Sequence, residues 1–187
     1  EGSSVNNATF SENTYGLYVD SSTLPVSDTE FVGNEYGMYL IGTADVTVSF
    51  ASFTDNTYGI FADPSTLTLK NSTFVGGTYA IYAYAANVVV GNSTFNNTYL
   101  FIDSSTATVG NNTFYGGDYG VYATMTSGIK IDNNIFLDTM YGVYLNGSTS
   151  ATITNNQFNG TMLFISGSAE NHYTGPVSYT HLTLPTT

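Results

Sequence analysis

Apolar and polar residues alternate over short spans along the whole chain, as in residues 46–48 (VTV) and 129–131 (IKI). A period of two residues is typical of β-strands that bury one face. No span carries ten or more residues with the 3.6-residue spacing of an amphipathic helix. The pattern therefore predicts short strands joined by turns rich in Asn, Gly and Ser.

A unit of about 21 residues recurs eight times. Each copy carries a Phe, and the intervals between successive phenylalanines are 21, 22, 21, 21, 19, 22 and 22 residues. An aliphatic residue lies five positions before each Phe, Asn lies three before it in most copies, and a Tyr follows it in all but the last copy. Columns that stay in register over so many copies indicate a solenoid. The repeated phenylalanines are Phe10, Phe31, Phe53, Phe74, Phe95, Phe114, Phe136 and Phe158.

This solenoid is predicted to be all-β. The copies lack the L-x-x-L-x-L frame of leucine-rich repeats and the Gly-Gly-x-Gly-x-Asp frame of calcium-binding repeats. Parallel rungs stack about 4.8 Å apart, so equal positions form ladders along the axis. We expect the Phe and aliphatic columns inside, and the Asn column as a hydrogen-bonded amide ladder at a turn. The predicted fold is a parallel β-helix of about eight rungs.

The motif N-x-T-F followed by Y-G-I-Y, as at residues 71–74 and 79–82, carries a resemblance to a known family. It resembles the repeat of right-handed parallel β-helix proteins with the pectate-lyase-like fold, and the likeness covers residues 3 to 166. Similar repeats occur in pectate-lyase-like proteins and in adhesin-like surface proteins of bacteria and methanogenic archaea. The resemblance implies a right-handed coil, while one such scaffold hosts unrelated activities.

The chain is predicted to divide into three segments. Residues 1–168 form the β-helix fragment and residues 169–176 an irregular end. Residues 177–187 (VSYTHLTLPTT) break the repeat and resemble the conceptual translation of a transposase mosaic-end sequencing adaptor, so they are interpreted as an artefact. The alternative is a genuine Thr-rich terminal strand. Since no initiator Met or signal peptide is present, the sequence is expected to be an internal piece of a longer protein.

The net charge of the chain makes some classes of binding partner unfavourable. The net charge is −12, with two Lys and no Arg, which argues against binding to nucleic acid or to anionic lipid. No apolar run approaches the roughly 20 residues that span a bilayer, so no membrane insertion is expected in this fragment. The uncharged, hydroxyl-rich surface favours an extracellular or cell-surface location, and the absence of Cys is compatible with it.

Catalytic residues are hard to find in the repeat. A lyase of the pectate-lyase type would use an Arg or Lys base with calcium-binding carboxylates, but Lys70 and Lys130 fall in different columns. A hydrolase would need carboxylates about 5 to 9.5 Å apart. The acids two positions after the Phe, namely Glu12, Asp55 and Asp138, never occupy adjacent rungs. We interpret them as solvated turn residues and predict no catalytic residue and no cofactor.

A second group of acids, Asp20, Asp63 and Asp103, begins a recurring turn with the sequences DSST at 20–23, DPST at 63–66 and DSST at 103–106. Such sequences favour local hydrogen bonding within the turn. A calcium site would need several oxygens around one point, whereas these acids lie on alternate rungs. No metal site is therefore predicted, and the lone His172 has no partner column.

An aromatic column follows an aliphatic position that should point inward, so alternation places the aromatic side chains outside. Counted from the repeat, the column runs through Tyr18, Tyr39, Phe61, Tyr82, Ile102, Tyr122, Tyr144 and Ile165. An exposed stripe of this length favours binding of sugar rings or of another protein. The alternative is a ladder of stacked rings that stabilises the coil beneath a loop or neighbour. The predicted ligand-binding residues are Tyr18, Tyr39, Phe61, Tyr82, Tyr122 and Tyr144.

These observations favour a non-catalytic segment of an adhesin-like or cell-envelope protein, with polysaccharide or another cell-surface protein as partner. The alternative is a fragment of a polysaccharide-active enzyme, either a pectate-lyase-like lyase or a glycoside hydrolase.

Overall fold

The computed structural model describes residues 2–167, 172–174 and 182–183. All the regular secondary structure within these ranges is β-strand. In chain order the strands are β1 (Val5–Asn6), β2 (Thr9–Ser11), β3 (Tyr15–Asp20), β4 (Thr23–Ser27), β5 (Glu30–Val32), β6 (Tyr36–Ser49), β7 (Ser52–Thr54), β8 (Tyr58–Lys70), β9 (Thr73–Val75), β10 (Tyr79–Tyr84), β11 (Asn87–Gly91), β12 (Thr94–Asn96), β13 (Tyr99–Asp103), β14 (Thr106–Gly110), β15 (Thr113–Tyr115), β16 (Tyr119–Thr124), β17 (Lys130–Asp132), β18 (Ile135–Leu137), β19 (Tyr141–Asn146), β20 (Thr152–Thr154), β21 (Gln157–Asn159), β22 (Met162–Ser166), β23 (His172–Thr174) and β24 (Leu182–Thr183).

The strands form a parallel coil with three faces. The aromatic face contains β3, residues 36–41 of β6, residues 58–63 of β8, β10, β13, β16, β19 and β22. The second face contains β1, β4, the remainder of β6 and β8, β11, β14, β17, β20 and β23. The third face is an eight-stranded sheet of β2, β5, β7, β9, β12, β15, β18 and β21. The predicted all-β parallel β-helix of about eight rungs is thereby confirmed.

Equal positions of successive rungs face one another, as the repeat predicted. Phe31 pairs with Phe53, and Phe53 pairs with Phe74. The rings of consecutive phenylalanines stack with centroids 4.4 to 5.2 Å apart. The aliphatic column lies beside them, with Val48 and Leu69 fully buried. The Phe and aliphatic columns therefore form the core, which confirms this part of the prediction.

The Asn column that was expected to form the amide ladder instead forms the corner between the second and third faces. Its residues have positive φ angles of 48° to 58° and are exposed to solvent. Asn tolerates this left-handed conformation better than most residues, which explains why it recurs at the corner. The predicted position of the ladder was wrong by one residue. The corner residues are Asn7, Asp28, Phe50, Asn71, Asn92, Asn111, Asn133 and Asn155.

A buried amide ladder occupies the next position along the chain. Asn134 Oδ1 accepts hydrogen bonds from the backbone N and from Nδ2 of Asn112, at 2.9 and 3.0 Å. Asn134 Nδ2 donates to Asn156 Oδ1 at 3.0 Å and to the carbonyl oxygen of Val109 at 2.8 Å. Each amide thus satisfies buried backbone groups on neighbouring rungs. A second ladder, between the third and aromatic faces, joins Asn13, Asn34 and Asn56.

The predicted segments beyond residue 168 fall mostly outside the described residues. Within them, His172–Thr174 forms β23 and pairs in parallel with β20. Leu182–Thr183, in the adaptor-like stretch, pairs with residues 163 and 164 of β22. The boundaries at 168 and 176 and the adaptor origin of residues 177–187 stay predictions.

Candidate functional site

The six predicted ligand-binding residues lie in one column of the aromatic face. Strand pairing places Tyr18 opposite Tyr39, Tyr39 opposite Phe61, and Phe61 opposite Tyr82. Tyr122 and Tyr144 pair in the same way further along the coil. Tyr18 is exposed and the other members are half-buried, because their flanks contact other rings. The column therefore lies on the outer surface.

Two positions in this column were assigned wrongly from the sequence. Ile102 and Ile165 were counted as members, but both are buried in the core. Phe101 takes the place opposite Tyr82, and Phe164 the place opposite Tyr144. The aromatic column is therefore continuous from the first rung to the eighth.

The fifth rung is one residue shorter after its first Tyr, which explains why Phe101 and not Ile102 lies in the column. In most rungs a small residue follows the first Tyr of the strand, as Ala80 follows Tyr79, and it has no partner in the strand pairing. In the fifth rung, Leu100 follows Tyr99 directly, and the register shifts between Tyr79 and Ile81 to compensate. The two-residue spacing from Tyr99 to Phe101 is the sequence signal that could have revealed this.

A second aromatic column runs beside the first on the same face. Its residues were not among the predicted ligand-binding residues. Within a rung the two columns meet edge to face, as between Tyr36 and Tyr39, whose ring centroids are 5.0 Å apart at an interplanar angle of 86°. The two columns together cover the aromatic face. The second column consists of Tyr15, Tyr36, Tyr58, Tyr79, Tyr99, Tyr119 and Tyr141.

Most ring faces in both columns are already occupied by other rings. Tyr39 and Phe61 stack with centroids 4.9 Å apart and planes 4° from parallel. Offset and edge-to-face arrangements of this kind are favourable for aromatic quadrupoles. Ring edges and phenolic hydroxyls therefore form most of the outer surface that these residues present.

The stacking changes in the middle of the face. The plane of Tyr122 lies 75° from that of Phe101 and 66° from that of Tyr144. Tyr99 is likewise turned by 60° from Tyr79. These breaks lie beside the short fifth rung, so its missing residues alter the ring packing of the adjacent rung as well.

Burial of the phenols also changes their acidity. Desolvation raises the pKa of Tyr36, Tyr39, Tyr82, Tyr99 and Tyr119 above the ordinary value of 10.0, and neighbouring tyrosines or carboxylates add to the effect at each. At Tyr99 a side-chain hydrogen bond with Tyr79 contributes after burial.

These raised pKa values predict that the protein loses stability in alkali. As pH rises above 10, the unfolded chain releases phenolic protons that the folded chain still holds, so the free energy of unfolding falls until the folded-state pKa is passed. We expect urea unfolding to give a lower free energy at pH 11 than at pH 9. Tyr99→Phe should weaken this dependence, because it removes one of the phenols whose pKa is raised by burial. Equal values at the two pH values would contradict the prediction.

The acids considered for catalysis occupy corners of the coil. Glu12, Asp55 and Asp138 have positive φ angles of 58°, 53° and 51° and are exposed. Lys70 pairs with Gly91, while Lys130 pairs with Thr108, so the two lysines do lie in different columns. The described residues contain no group of three His, Cys, Asp or Glu side chains that could hold a metal ion.

The Asp-Ser turns form the local hydrogen bonds expected of them, although serine hydroxyls are the donors. Ser21 Oγ donates to Asp20 Oδ1 at 2.7 Å, and Ser104 Oγ donates to Asp103 Oδ1 at 2.9 Å. His172 lies exposed on β23.

The sequence matches the family described as right handed beta helix region, over residues 1–98 and 46–176. The chain belongs to this right-handed β-helix family. Handedness, which the repeat spacing could not determine, follows for this β-helix protein from its family. No helix long and apolar enough to span a membrane occurs in its described part.

Among curated proteins, none matches the sequence of this β-helix protein. Among solved structures, it is similar to HetL, a pentapeptide repeat protein involved in heterocyst differentiation regulation from the cyanobacterium Nostoc sp. strain PCC 7120. The two are 12% identical, with a TM-score of 0.30, and the match covers 91% of this chain and 84% of HetL. A likeness at that TM-score carries no information on function.

Proposed function

We propose that this chain is a non-catalytic segment of an extracellular, adhesin-like or cell-envelope β-helix protein, and that its aromatic face binds polysaccharide. The continuous outer aromatic column, from Tyr18 to Phe164, carries this proposal. The interior is already filled by the Phe and aliphatic columns, so the fold does not require aromatic residues on the outside.

The shape of the face favours an extended polymer over a globular partner. Eight rungs at about 4.8 Å give a strip roughly 34 Å long, and it is only two side chains wide. Tyrosines combine an apolar ring with a hydroxyl, which suits sugars that present both C–H and O–H groups. Since most ring faces are stacked on one another, we expect a sugar chain to contact ring edges and hydroxyls rather than to lie flat on single rings.

The positions of the charged residues support a binding role rather than a catalytic one. The acids Glu12, Asp55 and Asp138 lie at exposed corners on non-adjacent rungs, and the two lysines lie on the second face in different columns. The alternative, a fragment of a polysaccharide-active enzyme, would place its catalytic rungs in other parts of a longer protein.

A glycan array with matched tyrosine variants tests the proposal. We expect the chain to bind one or more neutral polysaccharides, and the double variant Tyr82→Ala/Tyr122→Ala to bind them about tenfold more weakly, because two aromatic contacts of about 0.5 to 1.5 kcal/mol are lost. Tyr115→Ala removes a tyrosine that is 45% exposed on the third face, so it should leave binding unchanged. Absence of binding, or equal binding by the double variant, would reject the polysaccharide face.

A further inference from the structure

A groove of about 440 Å³ lies at the corner between the aromatic and second faces, across the second to fifth rungs. Its lining includes Thr43, Pro64, Ser65, Ala85 and Ser104. Most rungs turn this corner with a residue of positive φ, as at Ala85 and Ser104. Proline cannot adopt that conformation, so β8 continues through the corner at Pro64 without the turn.

The loss of the turn leaves one polar atom without a partner. In the ordinary corners the equivalent serines donate to the preceding strand, as Ser22 Oγ does to the carbonyl oxygen of Asp20 and Ser105 Oγ to that of Asp103. Ser65 is 8% exposed, and its Oγ is the one buried side-chain polar atom in the described part of the chain that has no hydrogen-bond partner. Because a buried unpaired hydroxyl is unfavourable, Ser65 is poised to bond a group that enters the groove.

On three successive rungs, the residue directly before the groove is acidic or aromatic. Tyr84 pairs with Asp103, and Asp63 occupies the equivalent position one rung earlier, next to the paired Ala62 and Ala83. Tyr84 is 45% exposed and, unlike the tyrosines of the two columns, it stacks on no other described ring. A partly exposed aromatic residue thus lies between two acidic residues along the column.

This combination favours an organic cation over a metal ion or a neutral sugar. Asp63 accepts no hydrogen bond from the described residues, and no basic side chain lines the groove. Asp63 and Asp103 lie two rungs apart, about 10 Å, which is too far for both to bind one calcium ion at 2.3 to 2.6 Å. An ammonium group beside Tyr84 is attracted by both carboxylates over longer distances than calcium coordination requires.

We propose that an amino sugar binds at this corner, with one hydroxyl in the groove bonded to Ser65 Oγ and with its ammonium group at the edge of the groove, beside Tyr84 and the carboxylates of Asp63 and Asp103. Thr43, Ser104 and the other hydroxyl groups of the lining match the remaining hydroxyls of such a ligand. The site goes beyond the proposed polysaccharide face, since it uses different residues and a charged ligand.

Titration calorimetry with a β-1,4-linked glucosamine tetrasaccharide at mildly acidic pH tests the site. The fully N-acetylated tetrasaccharide is the matched ligand, because it keeps the ring hydroxyls and loses the charge. We expect the charged tetrasaccharide to bind at least about tenfold more tightly, and its affinity to fall with added salt. Equal affinity for the two ligands, or no binding of the charged one, would overturn the proposal.

Three variants locate the contacts. Tyr84→Ala and Ser65→Ala should each weaken binding of the charged ligand by about three- to tenfold, and alanine is already accommodated at the position of Ser65 by Ala44 and Ala86 on the adjacent rungs. Asp63→Asn should weaken it by a similar factor, while Asp20→Asn, at the equivalent position of the first rung, should not.

A further variant separates this site from the polysaccharide face. Tyr122→Ala should leave glucosamine binding unchanged whether or not it weakens binding on the array. If Tyr122→Ala abolishes glucosamine binding, or if Tyr84→Ala and Ser65→Ala leave it intact, the ligand does not occupy the groove and the proposal fails.

Discussion

Replacement of Phe95 with alanine is expected to lower the free energy of unfolding by about 3 to 5 kcal/mol. Phe95 is fully buried, and its ring stacks between Phe74 at 5.1 Å and Phe114 at 4.7 Å. The change removes apolar contacts and opens a cavity between two rungs that the remaining backbone hydrogen bonds hold in place. Chemical denaturation followed by circular dichroism would measure the loss.

Phe50→Ala is the matched control for this prediction. Phe50 is 61% exposed, so its truncation should change the free energy of unfolding by less than about 1 kcal/mol. Phe95→Leu, which retains most of the buried volume, should fall between the two. A Phe95→Ala loss as small as that of Phe50→Ala would mean that the Phe column does not hold the rungs together.

Replacement of Asn134 with alanine should cost about 2 to 4 kcal/mol, because several buried groups lose their partners together. The Asn112 amide N–H would no longer have an acceptor, and Asn156 Oδ1 and the carbonyl of Val109 would each lose a donor. Removing one member of a buried network leaves the others unsatisfied in a low-dielectric interior. The same denaturation assay reports this loss.

Two variants test whether the ladder is the cause. Asn134→Ser should cost less, since Ser72 and Ser93 fill this column on other rungs and accept the bond from the preceding rung through Oγ. Asn159→Ala, at an exposed strand position, should have little effect. If Asn134→Ala and Asn159→Ala were equally harmless, the ladder would contribute nothing to stability.

The core and the number of rungs could be predicted because they depend on periodicity alone. A Phe recurring every 19 to 22 residues can face its equivalents only if the rungs stack in register, and the buried phenylalanines do so from Phe31 to Phe158. Alternation on either side of each Phe then determines which neighbours point inward.

The amide ladder could be anticipated in kind but not in position. Three rungs carry Asn both at the corner position and at the next, as at Asn133 and Asn134, and the sequence does not reveal which one turns inward. The first recurs more often because the corner requires a left-handed residue, whereas Ser, Ala or Thr can replace the second. Frequency along the repeat therefore identified the residue that the backbone conformation requires, rather than the one that forms the ladder.

The candidate sites were harder to predict because they depend on departures from the repeat. Phe101 was not predicted as a member of the aromatic column, because the fifth rung lacks the small residue that follows the first Tyr in most other rungs. Ser65 looks in the sequence like any other serine of an Asp-Ser turn, and only the straight backbone at Pro64 leaves its hydroxyl unpaired. A sequence repeat shows what the rungs share, while a binding site can arise where one rung differs.

The unpaired residue after the first aromatic-face tyrosine of most rungs has a consequence for how such a chain can evolve. Ala80 and its equivalents have no partner in the strand pairing, and the fifth and eighth rungs omit this residue while their aromatic columns stay aligned. Unequal crossing-over between copies of the repeat can therefore delete this residue and still yield a rung that fits the same stack. The gene can gain or lose copies of the repeat that differ in length at this position, and the buried core still forms.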